Sequence, residues 1–245
     1  MSAPTGRLLR GLPGYQARTP WAPAAAIVVV AAVEGLRLAG RRLLVATADM
    51  DGALALALSQ AVSVILIVAA SGLLGGRPRE VLALHAPVTG WRVYAGAVAA
   101  MALLRVLASI IVYALYVAVA LAARGFDPVG DWQRDQGLLQ SVGLVPLLVV
   151  TAVGAPLSEE LIYRGFLLSA LARTRLGFWG AALLVTGAWT ALHDYSAFGI
   201  ASVFMTGLVL AWLLWRTGSL RVVIFCHVLN NALALVAHRL ITLPL

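Results

Sequence analysis

Apolar residues run along this chain in long blocks broken by short polar or Gly/Pro-rich punctuation. The blocks lie near residues 22–40, 52–75, 93–123, 138–156, 158–173, 178–194, 198–215 and 220–238. A transmembrane α-helix needs about 20 predominantly apolar residues. The pattern therefore predicts an all-α fold, a polytopic transmembrane helical bundle of seven or eight spans. The count turns on Pro156, which stops a helix, and on Ser158, which reads as the cap of the next. The fourth and fifth runs are thus either two helices or one broken one. Connections around Gly75-Gly76-Arg77-Pro78 and Asp127-Pro128-Val129-Gly130 read as turns. With no internal repeat and no low-complexity linker, a single membrane domain over 1–245 is expected.

Composition supports that picture and narrows the function. The 245 residues are 62% hydrophobic with a mean hydropathy of +0.94, against roughly 45–50% apolar in soluble domains. All 18 basic residues are arginine, and the formal net charge is +8. These arginines punctuate apolar spans instead of clustering on a polar face, which argues against a nucleic-acid partner. The single cysteine, Cys226, excludes an internal disulfide framework and a cysteine-based metal cluster.

Arg7, Arg10 and Arg18 precede the first apolar run, Trp21 to Val33. No small-x-small cleavage site ends that run and more spans follow, so a retained first helix with a cytoplasmic N-terminus is expected. Arg77 and Arg79 then mark a second cytoplasmic connection, and the loop with Asp127, Asp131 and Asp135 falls outside. Beyond it, sidedness depends on Pro156; Arg173 and Arg175 favour one broken helix over two. The expected location is a prokaryotic cell membrane, as a multi-pass integral protein in contact with the lipid bilayer.

The candidate chemistry centres on Ser158-Glu159-Glu160-Leu161-Ile162-Tyr163-Arg164-Gly165-Phe166. An ionisable side chain at the bilayer centre costs roughly 2.5–3.5 kcal/mol, so three in six residues require a functional reason. At about 100° per residue, Glu160 and Arg164 are i,i+4 neighbours able to pair, whereas Glu159 points roughly 140° away from Arg164. One carboxylate is neutralised locally and the other is free to act.

Polar partners for Glu159 occur further along. His193 lies about as far beyond the turn near Arg173-Thr174-Arg175-Leu176-Gly177 as Glu159 lies before it. Antiparallel helices rising about 1.5 Å per residue bring the two to similar depth. In the last run His227 and Asn231 are i,i+4 and share a face, with Asn230 one step aside. A free glutamate, two histidines and an asparagine from three helices make a set of general bases and oxyanion donors. Glu34 and Arg37 are i,i+3 and can neutralise one another, and Arg105 has no partner within a turn. Snorkelling or inter-helix pairing is expected of these three.

Glu159-Glu160-x-x-x-Arg164, Trp189-x-x-x-His193 and His227-x-x-x-Asn231, in that order on three helices, resemble the CPBP family of intramembrane glutamic endopeptidases. That family includes the type II CAAX prenyl proteases and bacteriocin-processing or self-immunity proteins. The likeness divides the domain into 1–137, N-terminal accessory spans, and 138–240, a CPBP-like catalytic core. It implies that Glu159 and His193 activate a water without metal or other cofactor. His227 and Asn231 would then bind the scissile carbonyl or its oxyanion, with Glu160 and Arg164 supporting. The second motif usually begins with phenylalanine, and Trp189 should keep the aromatic wall while reshaping the pocket. The implied substrate is a membrane-associated peptide or protein, lipidated or with a hydrophobic tail; nothing in the chain itself identifies a prenyl group.

Two other readings use the same side chains. A carboxylate and two histidines are a known catalytic zinc set, which would make the chain a zinc-dependent membrane protease. Buried Glu, His and Arg also build proton or ion relays, so a non-catalytic transport or immunity protein is the third. Ser158, as a cap, and Cys226, as a small buried residue, are the weaker nucleophile candidates.

Overall fold

The computed structural model describes residues 14–48, 51–87, 90–122 and 143–241. Arg7, Arg10 and the acidic loop with Asp127, Asp131 and Asp135 lie outside them. Among the described residues seven helices make the bundle: α1 (Pro23–Thr47), α2 (Gly52–Leu73), α3 (Arg92–Ala122), α4 (Leu144–Leu171), α5 (Gly177–Thr190), α6 (Ala197–Thr217) and α7 (Leu220–Ile241). One further helical turn, Pro78–Val81, sits between α2 and α3. Among the described residues six helices are long and apolar enough to cross a membrane. The remaining one, α5, is apolar but has only 14 residues; with it, the count reaches seven.

Local chemistry sets several of the helix ends. Asp51 Oδ1 accepts from the Ala53 and Leu54 N–H groups at the start of α2, and Ser196 Oγ accepts from Gly199 at the start of α6. Each satisfies main-chain donors that a helix start leaves unpaired. Gly218, at φ 63°, closes α6 in the left-handed conformation that glycine adopts without steric cost. Large apolar side chains such as Ile65, Leu103, Ile110, Leu115 and Leu233 stay exposed on the outside of the bundle. Such a surface suits lipid and would be a liability in water.

The central element is α4. It packs against α1, α2, α5 and α7, and its residues 160–170 are all buried. Pro156 lies inside it, so the fourth and fifth apolar runs are one helix. That continuity depends on a widened turn: over Leu148–Gly154 the main chain adopts π-type winding, and the Ala155 N–H bonds to the Val150 carbonyl, five residues back. A second widened stretch covers Glu160–Leu167. Ser158 is consequently not a helix cap. Its hydroxyl bonds back to the Gly154 and Ala155 carbonyls, both at 3.0 Å, as serine does inside a helix.

Successive helices run in opposite directions, which gathers the 14–22 segment and the 74–87, 172–176 and 218–219 connections at one end. They are stitched together there. The Tyr15 N–H bonds to Trp215 O, the Leu220 N–H to Ala83 O, and Arg173 to the Thr19 carbonyl. Trp21 stacks on Phe166 with ring centroids 4.5 Å apart, docking the segment before α1 onto α4.

Candidate functional site

The two adjacent glutamates have different surroundings. Glu160 is fully buried, and its Oε1 accepts from Arg164 Nη1 at 3.1 Å and from His227 Nδ1 at 2.8 Å. Arg164 is equally enclosed; its Nη2 reaches the Gly207 carbonyl at 3.4 Å, and its guanidinium sits 4.4 Å from the centre of the Trp189 ring. A desolvated cation over an aromatic face gains about 2 kcal/mol. Glu159, one residue earlier, is only partly buried. Among the described residues no hydrogen bond or ion pair engages its carboxylate.

Both histidines present one ring nitrogen and anchor the other. His193 Nδ1 lies 3.0 Å from the Trp189 carbonyl. A carbonyl only accepts, so Nδ1 carries the proton and the neutral ring keeps its lone pair on Nε2. His227 Nδ1 is likewise held by Glu160, which leaves its Nε2 uncommitted. Trp189 stands edge-on to both rings, with centroids 4.8 Å from His193 and 5.9 Å from His227. The tryptophan thus forms a wall shared by the two imidazoles and the guanidinium. No hydrogen bond joins Glu159 to either imidazole among the described residues; the carboxylate that touches one is Glu160.

Asn231 is tied to the main chain of α4. Its Nδ2 donates to Thr151 O at 3.0 Å, and its Oδ1 accepts from Asn230 at 3.1 Å. Pro156 explains the first bond. The Ala155 N–H, which would serve Thr151 in an ordinary α-turn, goes to Val150. The next residue, Pro156, has no N–H to offer. The orphaned carbonyl takes its donor from α7 instead, and one Nδ2 hydrogen of Asn231 is left over. From α2, the buried Gln60 Nε2 donates to Val150 O at 3.2 Å, bracing the same wide turn.

Glu34 and Arg37 pair at 2.7 Å as expected. The unexpected third member is Tyr163, whose buried hydroxyl donates to Glu34 Oε1 at 2.8 Å. This locks α1 to α4 a single turn beyond Glu159. Arg105 is paired with α6, donating to Thr206 Oγ1 and the Ser202 carbonyl. Cys226 is buried beside His227. Among the described residues no three His, Cys, Asp or Glu side chains are grouped as a metal ion requires. Tyr163, Gly207 and the Thr151 carbonyl carried no sequence signal, because each acts through a contact between distant helices.

The fold and site together define a multi-pass integral membrane protein with an acid–imidazole cluster enclosed in its bundle. Residues 141–233 match the family model described as Type II CAAX prenyl endopeptidase Rce1-like, and this supports placing that part of the chain in the CAAX protease and CPBP family. The match spans less than half of the chain, and it contains Glu159, Glu160, Arg164, His193, His227 and Asn231. It supports a CAAX-type intramembrane protease acting on a membrane-associated protein. No curated protein and no solved structure matches the chain.

Proposed function

We propose that this chain is a glutamate-dependent intramembrane endopeptidase that cleaves a peptide bond of a membrane-associated protein with a bound water as nucleophile. The observation that carries this reading is the division of labour between neighbouring carboxylates. Glu160 is committed to Arg164 and His227, while Glu159 is uncommitted and partly accessible. In this scheme Glu159 takes the proton of the attacking water, assisted by the open Nε2 of His193. His227, oriented through Nδ1 by Glu160, presents Nε2–H to the developing oxyanion when its ring is protonated. The spare Nδ2 hydrogen of Asn231 is a second donor. Arg164 pairs with Glu160 at 3.1 Å, so the orienting carboxylate has a partner inside the bundle.

The substrate is a protein held at the bilayer by a lipid or a hydrophobic tail; prenylation is one such anchor. The scheme uses no metal, and catalysis that persists in chelator-treated protein without added zinc is the expected outcome. The decisive experiment compares the C-termini of membrane proteins from cells with the intact chain and with Glu159→Gln. An uncleaved species should accumulate in the variant while its expression and folding persist. An unchanged set of termini, with biological activity retained, would instead indicate an immunity or transport role.

A further inference from the structure

Arg105 lies on α3 about 20 Å from the start of that helix, at a rise of about 1.5 Å per residue, and so well inside the span. Its two hydrogen-bond partners, Thr206 Oγ1 at 2.6 Å and the Ser202 carbonyl at 3.3 Å, are uncharged, and Nη1 makes both bonds. Among the described residues no carboxylate pairs with it. Arg37 and Arg164, by contrast, each have a glutamate. A cation at this depth is costly and ordinarily pairs. Guanidinium offers five N–H donors in a planar fork that fits a carboxylate, and among the described residues Nε and Nη2 have no acceptor.

Those donors belong to a residue that lines a shallow, half-open cleft of about 70 Å³ between α3 and α7. Its other walls are Val98, Met101, Cys226, Leu229 and Leu233, with Asn230 as the second strongly polar group. Leu233 and Ala102 are exposed at its mouth, on the outer surface of the bundle. The inner wall is the stretch of α7 that also carries His227 and Asn231.

We infer that this cleft binds an apolar chain ending in a carboxylate, with the terminal group on Arg105 and the chain against α3 and α7. The unpaired cation selects the anion, and the apolar walls with their outward mouth select what is attached to it. A free fatty acid and the C-terminus of a hydrophobic peptide share this chemistry. The inference goes beyond the hydrolase reading and does not rest on it, because binding is measured in Glu159→Gln protein without turnover.

The test uses the full chain in nanodiscs and four probes: oleate, oleyl alcohol, and a leucine-rich peptide as free acid and as C-terminal amide. At least one acid should bind about tenfold more tightly than its neutral partner, the lower end for a hydrogen bond to a charged group. Arg105→Gln should erase that preference while leaving binding of the neutral probe unchanged. Ala102→Trp, which fills the mouth from the outside and keeps the guanidinium, should weaken the preferred acid by a similar factor. A preference for oleate alone assigns the carboxylate to a lipid, and one for the peptide acid alone assigns it to a protein terminus. Equal binding of acids and neutral partners, or a preference that survives Arg105→Gln, overturns the proposal.

Discussion

Glu160 and Arg164 are both sealed from solvent, so each depends on the other for its charge to be tolerable. Breaking a buried pair by removing one partner typically costs about 3–5 kcal/mol. Arg164→Met should therefore lower stability by about that amount, read as a fall in the unfolding midpoint in detergent. The double variant Glu160→Gln, Arg164→Met should recover part of the loss, because no uncompensated charge is then left inside. The i,i+4 spacing made this pair legible before any coordinates, and the same wheel set Glu159 apart. The bond from His227 to Glu160 was not legible: it joins residues 67 positions apart. Depth matching across the hairpin relates Glu159 to His193 and does not reach the pair Glu160 and His227.

At the scale of helices, the approach of α6 to α4 and α5 depends on the missing side chain of Gly207. A Cβ there would stand 2.5 Å from Thr186 Cγ2, 2.8 Å from Arg164 Nη2 and 2.9 Å from the Trp189 ring. Gly207→Ala should cost about 1–3 kcal/mol, as overpacking does, and should lower turnover through the shifted tryptophan. Gly187→Ala, on α5 with nothing within 4 Å, is the control. It should be neutral or stabilising, since alanine favours helix over glycine by about 0.8–1.0 kcal/mol. Apolar runs were enough to place the helices. They could not settle whether Pro156 separates two of them, because that depends on donors from elsewhere. Gln60 on α2 and Asn231 on α7 supply the bonds that let the helix continue.

At the scale of the whole bundle, many of the described arginines gather at one end. Arg18, Arg77, Arg79, Arg173, Arg175 and Arg221 all fall on or beside the stitched end, the end that the positive-inside rule would expect to face the cytoplasm. With α4 as one helix, Arg173 and Arg175 share an end with Arg77 and Arg79. His85 sits in this setting. Desolvation, with the charges of Arg18, Arg221 and Arg79, holds its imidazole below the ordinary histidine value of 6.5. The folded protein then binds fewer protons here than the unfolded chain. The stabilisation is present above the unfolded value of about 6.5 and is lost as pH falls below it through the lower folded pKa. Thermal midpoints between pH 7.5 and pH 5 should therefore decline, and His85→Gln should flatten the decline.

The two-residue link Gly218-Ser219 has a bearing on how anything enters the bundle. Ser219 Oγ donates to the His85 carbonyl at 2.7 Å, Leu220 N–H is bound to Ala83, and the strand of chain before α1 is tied to Trp215. The helices are riveted together there like the pivot of a pair of tongs. Under the proposed hydrolysis, a substrate peptide is expected to enter at the opposite tips, where α5 stops after Thr190 and His193 lies beyond its last turn.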